Sequence, residues 1–585
     1  MVGMTIPSGK GGPNSSRQHE FYFEQDDDEE VRPVEDDDPD AETTPLSSPS
    51  NSPKGRPETP VGHHWPQSYR ASMDAYTGQS YRSALFSPHQ SGANTPLSPF
   101  YARWNSTNSQ QLDHTTSEPE SALERAASPL LPEKPPSRIE SDAQVPLPPL
   151  PIKSYDRLPS ARSLPPDSRY FDPDEMNLGN STFTQALFNG MNVLAGVGIL
   201  STPYGLLQGG WLSLGVLLLL AVCCCYTGVL LIRCLQSSPH VQTYPDIGEA
   251  AFGLTGRILI STLFYFEVYA CCVEFLILEG DNLSSLFPGA SVTVFGAPLE
   301  SKTFFMLLTA LAVLPTVWLK NLSLLSYISA AGVLAAILVV FAVAWIGEFD
   351  GIGFSQGGPL IRWGTLPVSV GLFGFCYSGH AVFPNIYNSL SNKSQFPLLL
   401  TITFAMCTLI YGGIAVTGFT MFGAETQSQI TLNLPKQFLA SKIAIWTTVV
   451  NPFTKFALTM TPVAMAVEEL VPMSVSASSF VTLSYLIRTA LVGSTILVAL
   501  LVPFFGYVMA FIGSFLSMTV SVILPCACYL RIYGKRVSWL ETIVCTSIML
   551  LGCIAAGFGT WSAISGIAGS FHPHTPPGFV GKVPW

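Results

Sequence analysis

From residue 183 onward the chain is a succession of apolar runs, each long enough to cross about 30 Å of hydrocarbon. They fall at roughly 183–208, 211–232, 258–280, 303–319, 324–346, 366–387, 397–422, 440–467, 485–503, 506–530 and 539–561. Residues 181–585 hold only 14 Lys/Arg and 13 Asp/Glu, a far sparser set of charges than the roughly 25% of a soluble domain. Backbone polar groups inside a bilayer must be satisfied internally. This part of the chain is therefore expected to be an all-α polytopic membrane protein with eleven spans. A soluble enzyme is excluded for it. Pro503 separates the ninth and tenth spans, and Glu468, Glu469 and Pro472 mark the loop before the ninth.

Residues 1–180 are of another kind. They hold 15 Lys/Arg against 27 Asp/Glu, 26 of the 46 prolines and no cysteine. Their apolar residues keep no sustained period of 2 or 3.6, so no packed core offsets the entropy of ordering, and a disordered acidic tail is expected. Eight Ser/Thr-Pro pairs (Thr44, Ser48, Ser52, Thr59, Ser87, Thr95, Ser98 and Ser128) could accept phosphate from kinases, each adding about −1.5 to −2 charge. Ser and Pro are also simply common in such tails. The run Pro146–Pro151 suits a stiff spacer or a polyproline II ligand. No secretory signal opens the chain, so the first span is expected to direct insertion.

With the tail cytosolic, the loops on its side gain Arg233, Arg257, Lys320, Lys393, Arg488, Arg531, Lys535 and Arg536. The other side gains Lys302, Arg362, Lys436, Lys442 and Lys582. Eight against five follows the positive-inside rule and places residues 566–585, a short C-terminal tail, on the lumenal side. Asn282-Leu-Ser284 would be a glycosylation sequon there. All 12 cysteines lie in or beside the apolar runs, without metal-ligand spacing, and read as small packing residues. Neither a metal nor a cofactor nor a nucleic-acid partner is expected.

Two spans are interrupted alike. The first contains Asn192 to Pro203 and the sixth Gly371 to Pro384; in each a glycine precedes a proline by five, Gly198 to Pro203 and Gly379 to Pro384. Glycine and proline let a helix unwind, and unwound backbone is tolerated in a membrane only where protein or a polar cavity meets it. Breaks five spans apart fall at matching places in halves of opposite topology, the best sequence pointer to a transporter's binding site. Half-helix N-termini suit a carboxylate, and half-helix C-termini suit an ammonium. A zwitterionic amino acid satisfies both. The candidate substrate contacts are Asn192, Gly196, Val197, Gly198, Ser201 and Thr202 in span one, with Phe375, Tyr377 and Ser378 in span six.

Ionisable residues inside spans are costly and mark function. Glu267 and Glu274 are seven apart on one face of span three, His380 follows Gly379, and Lys455 lies mid-way along span eight. Each is a candidate for loading and releasing a proton or for a fixed internal charge. A satisfied internal hydrogen bond or ion pair is the alternative for the two glutamates. Glu279, Glu468 and Glu469 lie near span ends and are expected to be solvated. Thr243–Phe252 is expected to form a short interfacial helix.

The runs Gly190–Tyr204, Leu278–Leu283 and Tyr377–Tyr387 together resemble the amino acid/auxin permease family. The long acidic tail and eleven spans are most similar to its plant and fungal vacuolar amino-acid transporter branch. The resemblance implies a LeuT-like fold with spans one to five and six to ten as inverted repeats and a peripheral eleventh span. It also implies proton-coupled amino-acid transport, often an antiport that loads the vacuole. In sodium-coupled members of this fold, span eight helps hold a cation near span one, a place that a permanent ammonium at Lys455 could fill. The expected function is an H+/amino-acid antiporter for neutral amino acids in the vacuolar membrane, N-terminus cytosolic. A symporter, a plasma-membrane location, or an amino-acid sensor signalling through the tail are the alternatives.

Overall fold

The computed structural model of the chain describes residues 65–70, 72–73, 179 and 181–571, apart from 291, 295–296, 320–331 and 473. The eight Ser/Thr-Pro pairs, the Pro146–Pro151 run, Lys320 and Lys582 lie outside the described residues. Span one is α1 (Phe183–Leu194), a 3-10 turn (Val197–Ser201) and α2 (Thr202–Gly209). Then come α3 (Ser213–Leu235), α4 (Tyr244–Leu286), a two-stranded hairpin of β1 (Val292–Val294) and β2 (Ala297–Leu299), α5 (Ser301–Trp318) and α6 (Gly332–Glu348). Span six is α7 (Leu366–Cys376) and α8 (Phe383–Ser389). The rest are α9 (Phe396–Phe422), α10 (Leu439–Glu468), α11 (Ala477–Leu501), α12 (Phe505–Phe511) continuing through π-helical turns into α13 (Leu524–Tyr533), and α14 (Trp539–Phe571).

Among the described residues each expected apolar run contains helix, the first and sixth in two halves. Among the described residues seven helices are long and apolar enough to cross a membrane, and the bent first span makes an eighth. The fifth and sixth spans are shorter apolar helices. The eighth, α10, carries Asn451, Lys455 and a series of threonines on its length. Capping is local: Thr182 with Gln185 closes the start of α1, and Thr243 with Asp246 that of α4. The expected interfacial helix is the first part of α4, set off from the span by Gly253 at φ 67°, a left-handed geometry that favours glycine.

Large apolar side chains cover the outside, among them Leu218, Val222, Phe341, Leu409 and Trp561, as a lipid-facing surface requires. Only 17% of the apolar window of α14 is buried, against 56% for α3. The last helix is peripheral. It lies on the tenth span along small residues, Cys545, Gly552, Gly559 and Ala563, which let helices approach closely in lipid. Closest of all are α7 and the π-helical stretch, where a methyl added to Gly513 would lie 1.9 Å from Gly371 O.

Several span-end expectations are corrected. Glu468 is fully buried and receives Arg488 Nε at 2.7 Å, while Arg488 Nη1 donates to Val317 O at 2.6 Å. Arg488 is thus a buried residue of α11 rather than a loop cation. Pairing overrides solvation here, because an unpaired buried charge costs about 3–5 kcal/mol. Glu279 is buried as well. Asn282 is also buried: its amide donates to Leu278 O and Gln429 Oε1 and accepts from Thr431. That network closes the sequon to glycosylation in this fold. Of the cysteines, nine are buried and none is bridged.

Candidate functional site

The two interrupted spans face each other. Span one leaves helical geometry at Ala195 (φ −73°, ψ 64°) and Gly196 (φ −99°, ψ −147°), and its halves are bent by 48°. In span six the chain between Cys376 and Phe383 is non-helical. Pro203 and Pro384 are each the second residue of the following half-helix, where a missing N–H costs nothing. The prolines therefore start α2 and α8, and both breaks lie on their N-terminal side. Gly379 sits inside the second break, packed on Leu194.

One side chain holds both breaks. Tyr411 of α9 is fully buried, and its hydroxyl proton is shared between Leu194 O at 2.6 Å and Cys376 O at 3.1 Å, the last carbonyls of α1 and α7. Leaving a buried carbonyl unmet costs about 1–3 kcal/mol. Tyr411→Phe is accordingly expected to destabilise the protein by roughly that amount and to lower transport by more than its loss of folded protein explains. Thermal melting of the detergent-solubilised variant, set against flux per folded molecule, checks both. Nothing in the sequence around Tyr411 marks it out; it is one aromatic in an apolar run.

Between the breaks lies a cavity of about 100 Å³, room for several waters at roughly 10–15 Å³ each. Asn192, Gly196, Val197, Phe375, Ser378 and Gly379 line it, together with Glu267, Lys455 and Thr459. Four other sequence candidates are placed differently. Gly198 packs on Cys376 and Phe375. Ser201 donates to Gly198 O at 3.0 Å, Thr202 donates to Ile199 O at 3.0 Å, and the Tyr377 hydroxyl pairs with Thr408 at 2.9 Å. These hydroxyls brace the unwound segments.

Glu267 joins three spans. Its Oε1 accepts from Ser378 in the second break and from Ser517 of the tenth span, both at 2.6 Å. Ser517 stands in the π-helical stretch Ile512–Ser517, whose wide turns often mark functional positions. Lys455 donates to Asn192 O at 3.3 Å, in the last turn of α1, where the half-helix presents its negative end. Gly332 gives this cluster its room. A methyl there would stand 2.6 Å from Asn192 Oδ1 and 3.3 Å from both Asn451 Oδ1 and Lys455 Nζ.

The other two ionisable candidates lie off the cavity. Glu274 is fully buried, and neither oxygen meets a donor among the described residues. His380 Nε2 lies 2.9 Å from Thr227 Oγ1 and 3.1 Å from Cys224 O, so it faces α3. Ser517, Thr459 and Tyr411 are the site residues that sequence reading missed. Among the described residues no cluster of metal-ligating side chains occurs.

Comparisons with known proteins place this architecture. The family described as transmembrane amino acid transporter protein matches residues 179–571. Amino acid transporter AVT1B of Arabidopsis thaliana is 47% identical over 561 residues, covering 95% of this chain and 98% of that protein. AVT1C of the same plant is 55% identical over 388 residues, 66% of this chain and 70% of that protein. A vesicular inhibitory amino acid transporter of Xenopus tropicalis is 26% identical over 424 residues, 67% of this chain and 78% of its own length. The chain belongs to the transmembrane amino acid transporter family, a family of carriers and not of enzymes.

Proposed function

We propose that the protein is a proton-coupled amino-acid antiporter that moves neutral amino acids across the vacuolar membrane by alternating access. The observation that carries this reading is the cavity itself, where two unwound segments meet a carboxylate and an ammonium. The first amides of a helical stretch have no partner within it, and the one at Val197, which lines the cavity, suits a substrate carboxylate. The carbonyl ends and Ser378 suit an ammonium. Phe375 supplies apolar wall for a neutral side chain.

Coupling follows from the same geometry. Glu267 touches the second break and the tenth span at once, so its protonation changes what holds those two elements together. Lys455 sets a fixed positive charge beside α1, where a sodium ion would otherwise be suited, and this supports protons as the coupling species. An internal membrane is supported by the resemblance and by a relative whose name is vesicular.

Purified protein in sodium-free liposomes with an acid interior tests the reading. Labelled neutral amino acids are expected to accumulate inside, and a protonophore is expected to collapse the accumulation. Efflux coupled to outward proton flow would show symport instead, and binding without flux would show a sensor.

A further inference from the structure

One stretch of the acidic tail is seated on the membrane domain: within residues 65–73, the described Trp65–Arg70, Ser72 and Met73. Its residues were expected to have nothing to pack on. Trp65 Nε1 donates to Ala466 O at 3.1 Å, and the Gln67 and Ser68 amides donate to the two Glu469 carboxylate oxygens at 2.7 and 3.0 Å. Arg257 Nη2 donates to Pro66 O at 3.1 Å. Glu469, expected to be solvated, is a docking group.

The deepest contact reaches the cavity. Tyr69 is 1% exposed, its hydroxyl donates to Ala381 O at 3.1 Å, and its ring meets Phe264 edge-on at 5.4 Å. Both Ala381 and Phe264 line the cavity, and Ala381 belongs to the unwound segment of span six. Met73, at 0%, is buried too. The segment enters at the end of the bundle that carries Glu469, Arg257 and Gln242, the end whose basic loops were assigned to the cytosol.

We propose that residues 65–73 are an intramolecular plug that occupies the cytosolic mouth of the cavity and must withdraw for turnover. The segment lies more than a hundred residues from α1 along the chain and continues no described helix of the domain. Its contact with the unwound linker ties docking to one arrangement of span six. A ligand that binds one conformer better shifts the population toward it, so the docked segment holds this arrangement and slows exchange with the opposite one. The inference rests on the transport reading of the cavity.

The test uses the full chain and the triple variant Trp65→Ala, Tyr69→Ala, Met73→Ala, reconstituted at equal protein. The variant is expected to raise the initial rate of labelled amino-acid flux at least about threefold. A synthetic peptide of residues 63–75 added to the variant should bring the rate back down. Glu469→Ala, which removes the docking carboxylate without touching the cavity, should raise the rate in the same direction. Equal or lower flux in both variants would overturn the plug. Flux absent from wild type and variants alike would instead overturn the transport reading. Binding of the fluorescent peptide to the triple variant is read independently of flux, and its absence would overturn the docking itself.

Discussion

Glu267→Gln is expected to abolish proton-driven accumulation while leaving amino-acid exchange between the two sides. Glutamine keeps a carbonyl oxygen where Oε1 accepts from Ser378 and Ser517, both at 2.6 Å, so the ties to the second break and to span ten survive. What is lost is the ability to pick up and release a proton. A carrier that needs that proton only for coupling still swaps labelled for unlabelled substrate, since exchange returns the site loaded. Accumulation should fall by at least ~10-fold, about 1.4 kcal/mol of driving free energy, with counterflow within about twofold of wild type. Glu274→Gln is the control. That carboxyl lies off the cavity and meets no donor among the described residues, so its replacement is expected to preserve coupling. Coupled accumulation by the Glu267 variant would take the proton off Glu267, and loss of coupling in Glu274→Gln alone would assign it to Glu274.

Lys455→Ala is expected to remove transport altogether, exchange included, without removing the protein from the membrane. The ammonium lies 3.3 Å from Asn192 O, and a cation at a helix C-terminus is worth roughly 0.3–1 kcal/mol, up to ~2 when partly buried. Fold stability therefore survives its loss. The site does not: the end of α1 then presents its negative pole to the cavity with no fixed charge to balance it. Lys455→Arg keeps the charge but must fit a planar fork where Gly332 leaves room for little more than the amine. It should retain a fraction of the activity. Labelled-substrate binding and flux on surface-quantified protein check both variants, and normal transport by Lys455→Ala would remove the fixed cation from the mechanism.

How much of this was legible in the sequence depends on how local the cause is. A span needs only about twenty apolar residues in a row, and each of the eleven runs contains helix among the described residues. Gly253 and the capping boxes at Thr182 and Thr243 are local as well, and the interfacial helix falls where the sequence placed it. The helix breaks were legible as a pair, yet their positions were off by a few residues. Pro203 and Pro384 look like breakers in a sequence, but each is the second residue of a new half-helix. The breaks come just before them.

Tertiary causes were hidden. Glu468 looks like a solvated loop residue until Arg488, twenty residues on, is folded against it. Tyr411 becomes a clamp only because two broken helices end beside it. Ser201 and Thr202 read as ligand contacts from their place beside the break, whereas a 3-10 turn offers each of them a carbonyl three residues back. Trp65, Tyr69 and Met73 recur every four residues, a pattern too short to stand out in the tail, and the surface that buries them lies elsewhere in the chain.

The most direct test of the account is a reversal measurement in proteoliposomes. The amino-acid gradient is fixed, the pH gradient is varied, and the pH difference at which net amino-acid flux vanishes is recorded in the absence of sodium. Proton antiport through this cavity requires that null point to move in constant proportion as the amino-acid gradient is changed, with acid inside balancing the higher internal substrate. Net flux that vanishes only when the amino acid is equal on both sides, whatever the pH difference, would contradict it.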